Sequence, residues 1–202
     1  MIRKISLFLL CAVCQLMPAQ NIFLDNGYYQ VLYSVERMQP VRVEWTLDKQ
    51  YLGNEKRESS WKFREDKRLP SPRVSSKWYN GSGYDRGHLC PSADWTASKK
   101  MMKGTFLMSN ICPQTPAVNR KYWLATENYC RLMAHRYGKL KVVALPIFYS
   151  PAASNTTARD QVILSRGLEH VLQIPECFFK CVYDSINHQF CKWWVISNSV
   201  WQ

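Results

Sequence analysis

The stretch GSGYDRGHLCPSADW, residues 81–95, places an aspartate, an arginine, a glycine and a histidine consecutively behind two turn glycines. Asp85, Arg86 and His88 are costly to bury unless paired, and they stand too close together for an ordinary solvated face. In isolation the run is as consistent with a structural histidine as with a working one. Its neighbours along the chain decide between the two.

Upstream, residues 28–47 alternate polar and apolar well enough for two short strands around Pro40. Residues 48–83 are polar, charged and broken by Pro70, Pro72, Gly81 and Gly83, which reads as loop. Downstream, Phe106–Ile111 reads as a short buried strand. From Asn119 to Tyr137 there is neither Gly nor Pro, and Trp123, Leu124, Glu127, Cys130, Arg131 and Ala134 recur at helical spacing. Gly138 then supplies a C-terminal cap. Residues 139–149 and 176–184 read as strands, while 162–172 is ambiguous between helix and strand. The fold class is α+β, with one central helix and a mainly antiparallel sheet.

The first twenty residues stand apart. Arg3 and Lys4 precede an apolar run of about a dozen residues that closes on Pro18, Ala19 and Gln20, the layout of a secretory signal peptide. The run is short for a membrane span, and neither Cys11 nor Cys14 follows the small residue that a lipid-anchor signal requires. The expected organisation is a signal peptide over 1–20 and a single domain over 21–202. Export to a periplasmic or extracellular space follows, with no stable membrane association.

The 202 residues carry 47% hydrophobic and 13% aromatic side chains, which excludes a disordered chain and suffices for a real core. Net charge is +12, or +10 once Arg3 and Lys4 are removed with the leader. Such a surplus favours an anionic partner, without separating nucleic acid from a membrane surface or an acidic polysaccharide. Eight cysteines become six after cleavage: Cys90, Cys112, Cys130, Cys177, Cys181 and Cys191. An even number in an oxidising compartment argues for disulfides. Cys177, Cys181, His188 and Cys191 could also be read as a zinc knuckle, although the spacing matches no strong zinc pattern.

Three segments line up in order: Tyr84-Asp85-Arg86-Gly87-His88, then Ser109-Asn110-Ile111-Cys112-Pro113-Gln114, then Asn119 with Glu127 eight residues on. This ensemble, DRGH followed by SN-I-x-PQ and an N-x7-E helix, resembles the DNA/RNA non-specific endonucleases of the ββα-metal (His-Me finger) superfamily. The resemblance runs from about Tyr33 to about Asn198 and implies a ββα-metal catalytic core in the α+β fold.

It implies an Mg²⁺-dependent hydrolysis of phosphodiesters in DNA and RNA, with Mn²⁺ as another usable cation. Such a reaction needs an in-line water, charge neutralisation at the phosphoryl oxygens and help for the leaving oxygen. His88 is the candidate base, being neutral near pH 7; Gly87 would let the backbone turn beside it, and a backbone carbonyl would hold the ring. Asn119 is the candidate metal ligand, since an amide oxygen with several waters suits Mg²⁺. Glu127 lies about 12 Å further along a helix axis but only about 80° round it, and would act through a metal-bound water. Arg86 is the candidate phosphate clamp, with Asn110 orienting backbone or substrate and Asp85 propping the loop. Family members carry a further upstream arginine near an F-x-x-D segment. Here Phe63-Arg64-Glu65-Asp66 matches the segment and Arg57 is the best candidate, with Lys62 and Arg64 behind it. Arg131 could also meet phosphate, or simply pair with Glu127 one turn away.

Two departures complete the expectations. Cys90 and Cys112 follow the first and second blocks closely, and a Cys90–Cys112 disulfide would staple the site, the alternative being two small buried thiols. The chain also ends soon after Asn198, leaving an apolar face that a homodimer would cover, unless this is a minimal or damaged version of the domain. The alternatives to an enzyme are a non-catalytic basic binder of nucleic acid or acidic polymers, and a disulfide-stapled surface protein. The first would tolerate loss of His88 and Asn119; the second leaves the three-block register to coincidence.

Overall fold

Ten strands carry the architecture: β1 (Asn21–Asp25), β2 (Tyr29–Ser34), β3 (Gln39–Asp48), β4 (Asp85–His88), β5 (Ile111–Gln114), β6 (Lys139–Ile147), β7 (Gln161–Ile163), β8 (Val171–Gln173), β9 (Cys177–Asp184) and β10 (Gln189–Ser197). The computed structural model describes residues 20–148, 161–163, 171–184 and 189–199. The expected signal peptide therefore falls, apart from Gln20, outside the described residues.

Six strands form one antiparallel sheet in the order β1-β2-β3-β6-β9-β10. Period-two alternation explains its inner face: Val43, Trp45 and Leu47 of β3, Leu140, Val142 and Ala144 of β6, and Phe178 and Val182 of β9 all point into the core. A helix covers that face. It begins with a wide π-helical turn (Val118–Trp123), continues as α2 (Leu124–Tyr137), and buries Trp123, Thr126, Cys130 and Ala134. Gly138 ends it at φ 88°, its N–H bonded to Ala134 O at 2.8 Å, a conformation that favours glycine. A short helix, α1 (Lys99–Gly104), lies in the segment between β4 and β5.

β4 and β5 pair antiparallel as a separate two-stranded unit, Gly87 opposite Cys112 and His88 opposite Ile111, and the chain then enters the long helix. This is the ββα arrangement expected from the motif order. The strand expectations for 28–47, 139–149 and 176–184 correspond to β2, β3, β6 and β9. In the ambiguous stretch β7 and β8 pair as strands, while 164–170 lies outside the described residues.

Several expectations need correcting. The DRGH block is a strand, not a loop, because pairing with β5 satisfies its backbone. Residues 108–110 form a 3-10 turn, and the strand expected over Phe106–Ile111 begins only at Ile111. Strands β1 and β10 carried little legible signal. In β1 only Leu24 is buried, and the alternation of β10 is broken by a bulge between Phe190 and Lys192.

Cys90 and Cys112 are both free and fully buried. Cys112 faces Gly87 within the strand pair, whereas Cys90 lies beyond its end, and its Sγ accepts from Trp95 Nε1 at 3.3 Å. Cys130, Cys177 and Cys181 are free as well. His188 of the suggested zinc knuckle lies outside the described residues, and nothing is described of the Cys191 side chain. Trp193 and Val195 of β10 are 59% and 58% exposed, so this edge of the sheet does present apolar surface. Among the described residues no helix is long and apolar enough to cross a membrane.

Candidate active site

The end of β4, the π-helical turn and the first turn of α2 converge on a cleft of about 390 Å³. His88, Arg86 and Asp85 line it from β4, Asn119, Arg120 and Glu127 from the helix, and Arg57 and Phe63 from the long loop.

His88 is gripped by its surroundings. Its ring centroid lies 4.8 Å from Phe106 and 5.3 Å from Phe63, and its backbone O accepts from Trp123 Nε1 at 2.9 Å. Burial, and after it the Arg57 guanidinium, push the imidazole down to about 3, so the ring is neutral at any physiological pH. Nε2 is shut away without a partner, which leaves Nδ1 as the nitrogen available to the cleft. Among the described residues no carbonyl holds the ring as expected; Phe63 and Phe106 flank it instead. Gly87 has a role other than turning. A Cβ there would fall 2.2 Å from Oε1 of Gln114, a side chain itself fully buried.

Asp85 ties the two halves of the cleft together. It accepts from Asn119 Nδ2 at 2.9 Å and from Arg120 Nε and Nη2, each at 2.8 Å. The Arg120 bond first, then Asn119, hold its carboxyl below the usual range against the pull of burial. Asp85 thus props the site as expected, across to the helix. Asn119 sits inside the π-helical turn and caps nothing, since the preceding Ala117 is already helical. With Nδ2 committed to Asp85, Oδ1 is the end left for the cleft.

Glu127 lines the same cleft one turn into α2. Burial pushes its carboxyl up to about 7; Lys180 and Arg131 oppose the shift and Asp94 adds to it. The π-helical turn changes the angular offset expected for a plain α-helix, yet Asn119 and Glu127 still face one cavity. Among the described residues no three His, Cys, Asp or Glu side chains gather to hold an ion. The donors on the cleft wall are an amide oxygen and a carboxylate, a set that fits a hard cation keeping most of its water and does not fit a zinc-type cage.

The arginines divide. Arg57 is exposed, stacks 4.6 Å over Phe106 and pairs with no carboxylate among the described residues. Arg86 donates through Nε and Nη2 to Ser76 O at 3.0 and 2.7 Å and through Nη2 to Asn80 at 2.6 Å, leaving Nη1 for a ligand. Arg64 instead donates to Lys103 O, away from the cleft. Arg131 is engaged within the protein: its Nη1 pairs with the buried Asp94 at 2.9 Å and, as in the alternative expected for it, meets Glu127 one turn away, at 3.9 Å. Asn110 orients backbone, the first of its two expected roles: fully buried, it accepts from Cys90 N at 2.9 Å and donates to Cys90 O and Thr105 O, so it braces the chain behind His88.

Residues 12–199 match the model of the DNA/RNA non-specific endonucleases. The chain belongs to that family. It is 41% identical over 128 residues to a nuclease of Nostoc sp., covering 62% of this chain and 46% of the relative. To human mitochondrial endonuclease G it is 35% identical over 152 residues, covering 74% of this chain and 47% of the relative. This family member therefore spans about half the length of the curated relatives it matches. A solved structure of an EndoG/EndoGI complex superposes with a TM-score of 0.77 at 21% identity, over 91% of this chain and 76% of the other, which is a likeness of fold.

Sequence reasoning missed Asp94, Arg120 and Lys180. Arg120 adjoins Asn119, and that adjacency was a usable signal. Asp94 and Lys180 had none, because only packing brings their charges near enough to act on Glu127.

Proposed function

We propose that this protein is an exported endonuclease that hydrolyses phosphodiester bonds in DNA and RNA with little sequence preference. The observation that carries the reading is His88: a neutral imidazole with Nε2 sealed off, in a cleft whose opposite wall bears Asn119 oriented by Asp85. In this reading His88 Nδ1 takes the proton from a water as its oxygen attacks phosphorus and the opposite P–O bond breaks. Arg57 and Nη1 of Arg86 hold the non-bridging oxygens. The phosphate's charge offsets Arg57, the second cause of the depressed value, and so raises the basicity of His88, while burial, the first cause, still opposes it. Asn119 Oδ1 and, through water, Glu127 would hold Mg²⁺ or Mn²⁺. Such an ion supplies charge stabilisation at the leaving oxygen. Contacts mainly to phosphate make binding salt-sensitive and sequence-blind.

The decisive experiment digests plasmid DNA and total RNA with Mg²⁺, with EDTA, and with His88→Ala whose fold is checked by circular dichroism. Metal-dependent loss of both polymers that disappears in the folded variant supports the reading. A folded wild-type protein that binds DNA and cuts nothing overturns it in favour of a binder. Export rests on the leader-like residues 1–20 and is tested by the N-terminus of the protein recovered from outside the cytoplasm. A homodimer over the exposed Trp193 and Val195 is tested by sedimentation.

A further inference from the structure

Lys180 is an anomaly in the core. It occupies an inward position of β9, opposite Ala144 and Trp194, and is fully buried. Its Nζ has no hydrogen-bond partner and stands 3.7 Å from the centroid of the Trp123 ring. A cation–π contact compensates only part of the desolvation of an ammonium. A methionine of similar length would fill this site without that penalty, so the lysine weakens the fold where it stands.

Its surroundings suggest what it does there. Trp123 and Glu127 are one helical turn apart, so their side chains share a face of the helix. Trp123 carries Lys180 on its ring and donates Nε1 to the carbonyl of His88. Among the described residues Glu127 meets no hydrogen-bond donor, and its ion-pair partner, Arg131 at 3.9 Å, is already engaged by Asp94 at 2.9 Å and by Asn128 at 2.6 Å. Lys180, seated on the ring one turn from Glu127, is by contrast a cation whose charge is not spent on a closer carboxylate among the described residues.

We propose that Lys180, seated on Trp123, is a positioning residue for the catalytic cleft: it steadies the carboxylate of Glu127 from below, while Trp123 secures the His88 strand. The mutual electrostatics agree. Burial pushes the Lys180 ammonium down, and Glu127 is the strongest influence holding it up. The inference rests on the nuclease reading above and deepens it.

The test is Lys180→Met in the full chain, with thermal melting and steady-state cleavage of plasmid DNA at saturating Mg²⁺. A melting temperature equal to or above that of the wild type, with kcat down about 10-fold to 100-fold and KM unchanged, is expected. A merely structural lysine would lower the melting temperature instead, and that result overturns the proposal, as does an unchanged kcat. In the double variant Glu127→Gln with Lys180→Met, the loss should match that of Glu127→Gln alone; losses that multiply show that Lys180 does not act through Glu127. Should Lys180→Met not fold, Trp123→Phe keeps a ring under the ammonium and removes the N–H bound to His88 O. Its kcat should fall with KM unchanged, and an unaltered kcat overturns the proposal. A wild-type protein that cuts nothing defeats the nuclease reading together with this inference, whereas an active wild type beside an equally active Lys180→Met defeats this inference alone.

Discussion

Asp85 accepts the Nδ2–H of Asn119 at 2.9 Å, and that one bond decides which end of the amide the cleft receives. An ionised carboxylate only accepts hydrogen bonds, so the nitrogen must face Asp85 and Oδ1 must face away. The candidate cation ligand on the helix is thus oriented by a residue on the strand pair.

Asp85→Asn should uncouple the two. An asparagine can donate as well as accept, so Asn119 loses its enforced orientation and Arg120 loses its ion pair. The Mg²⁺ concentration for half-maximal cleavage should rise about 10-fold or more. An unchanged Mg²⁺ requirement, measured by plasmid nicking against a metal titration, would sink this account of Asp85.

His88 makes stability depend on pH with a definite sign. Its folded value of about 3 lies below the 6.5 of an unfolded histidine. Below pH 6.5 the unfolded chain binds a proton that the native state refuses, so stability should decline as pH falls from 6.5 towards 3. His88→Gln, which cannot titrate, should show a shallower decline in urea midpoint between pH 7 and pH 4.5. Parallel declines in the two proteins would contradict the buried neutral ring.

Gly87→Ala should destabilise although the substitution is small and the strand geometry ordinary. The new methyl group meets Gln114, fully buried and without room to retreat. Overpacking of this kind costs about 1–3 kcal/mol, readable as a lower urea midpoint with unchanged slope.

Arg57 and Arg131 should fail differently. Arg57→Ala should leave melting nearly untouched, weaken DNA binding and reduce its salt dependence by about one counterion. Arg131→Ala leaves Asp94, 1% exposed, without its cation, and breaking a buried pair costs about 3–5 kcal/mol. Salt-titrated binding and thermal melting of the two variants separate the roles.

Non-reduced peptide mapping should recover Cys90 and Cys112 as separate thiols, alkylated only after unfolding, because both are fully buried. Recovery of a linked peptide would restore the staple expected from their closeness in sequence to the two motif blocks.

How legible the site was depended on the distance over which each role is set. His88 and Asn119 could be named as candidates from short motifs with fixed offsets, and Arg57 only as the best of several nearby cations; the fold brings all three to one cleft. The main partner of Arg131 was not legible, because Asp94 lies 37 residues away and no local pattern announces the pair. Which backbone Asn110 orients was not legible for the same reason: both ends of its amide serve Cys90, twenty residues earlier.

The sequence by itself determined the strand alternation, the helix ending at Gly138 and the order of blocks that marks the family, since each is written in spacing or in residue type. Tertiary structure alone decided that DRGH is a strand, that a Cβ at Gly87 would meet Gln114, and that Lys180 is buried against the Trp123 ring. Those facts follow from which surfaces close on one another and exclude water. Burial of that kind is a property of the assembled chain, and no local stretch of residues carries it.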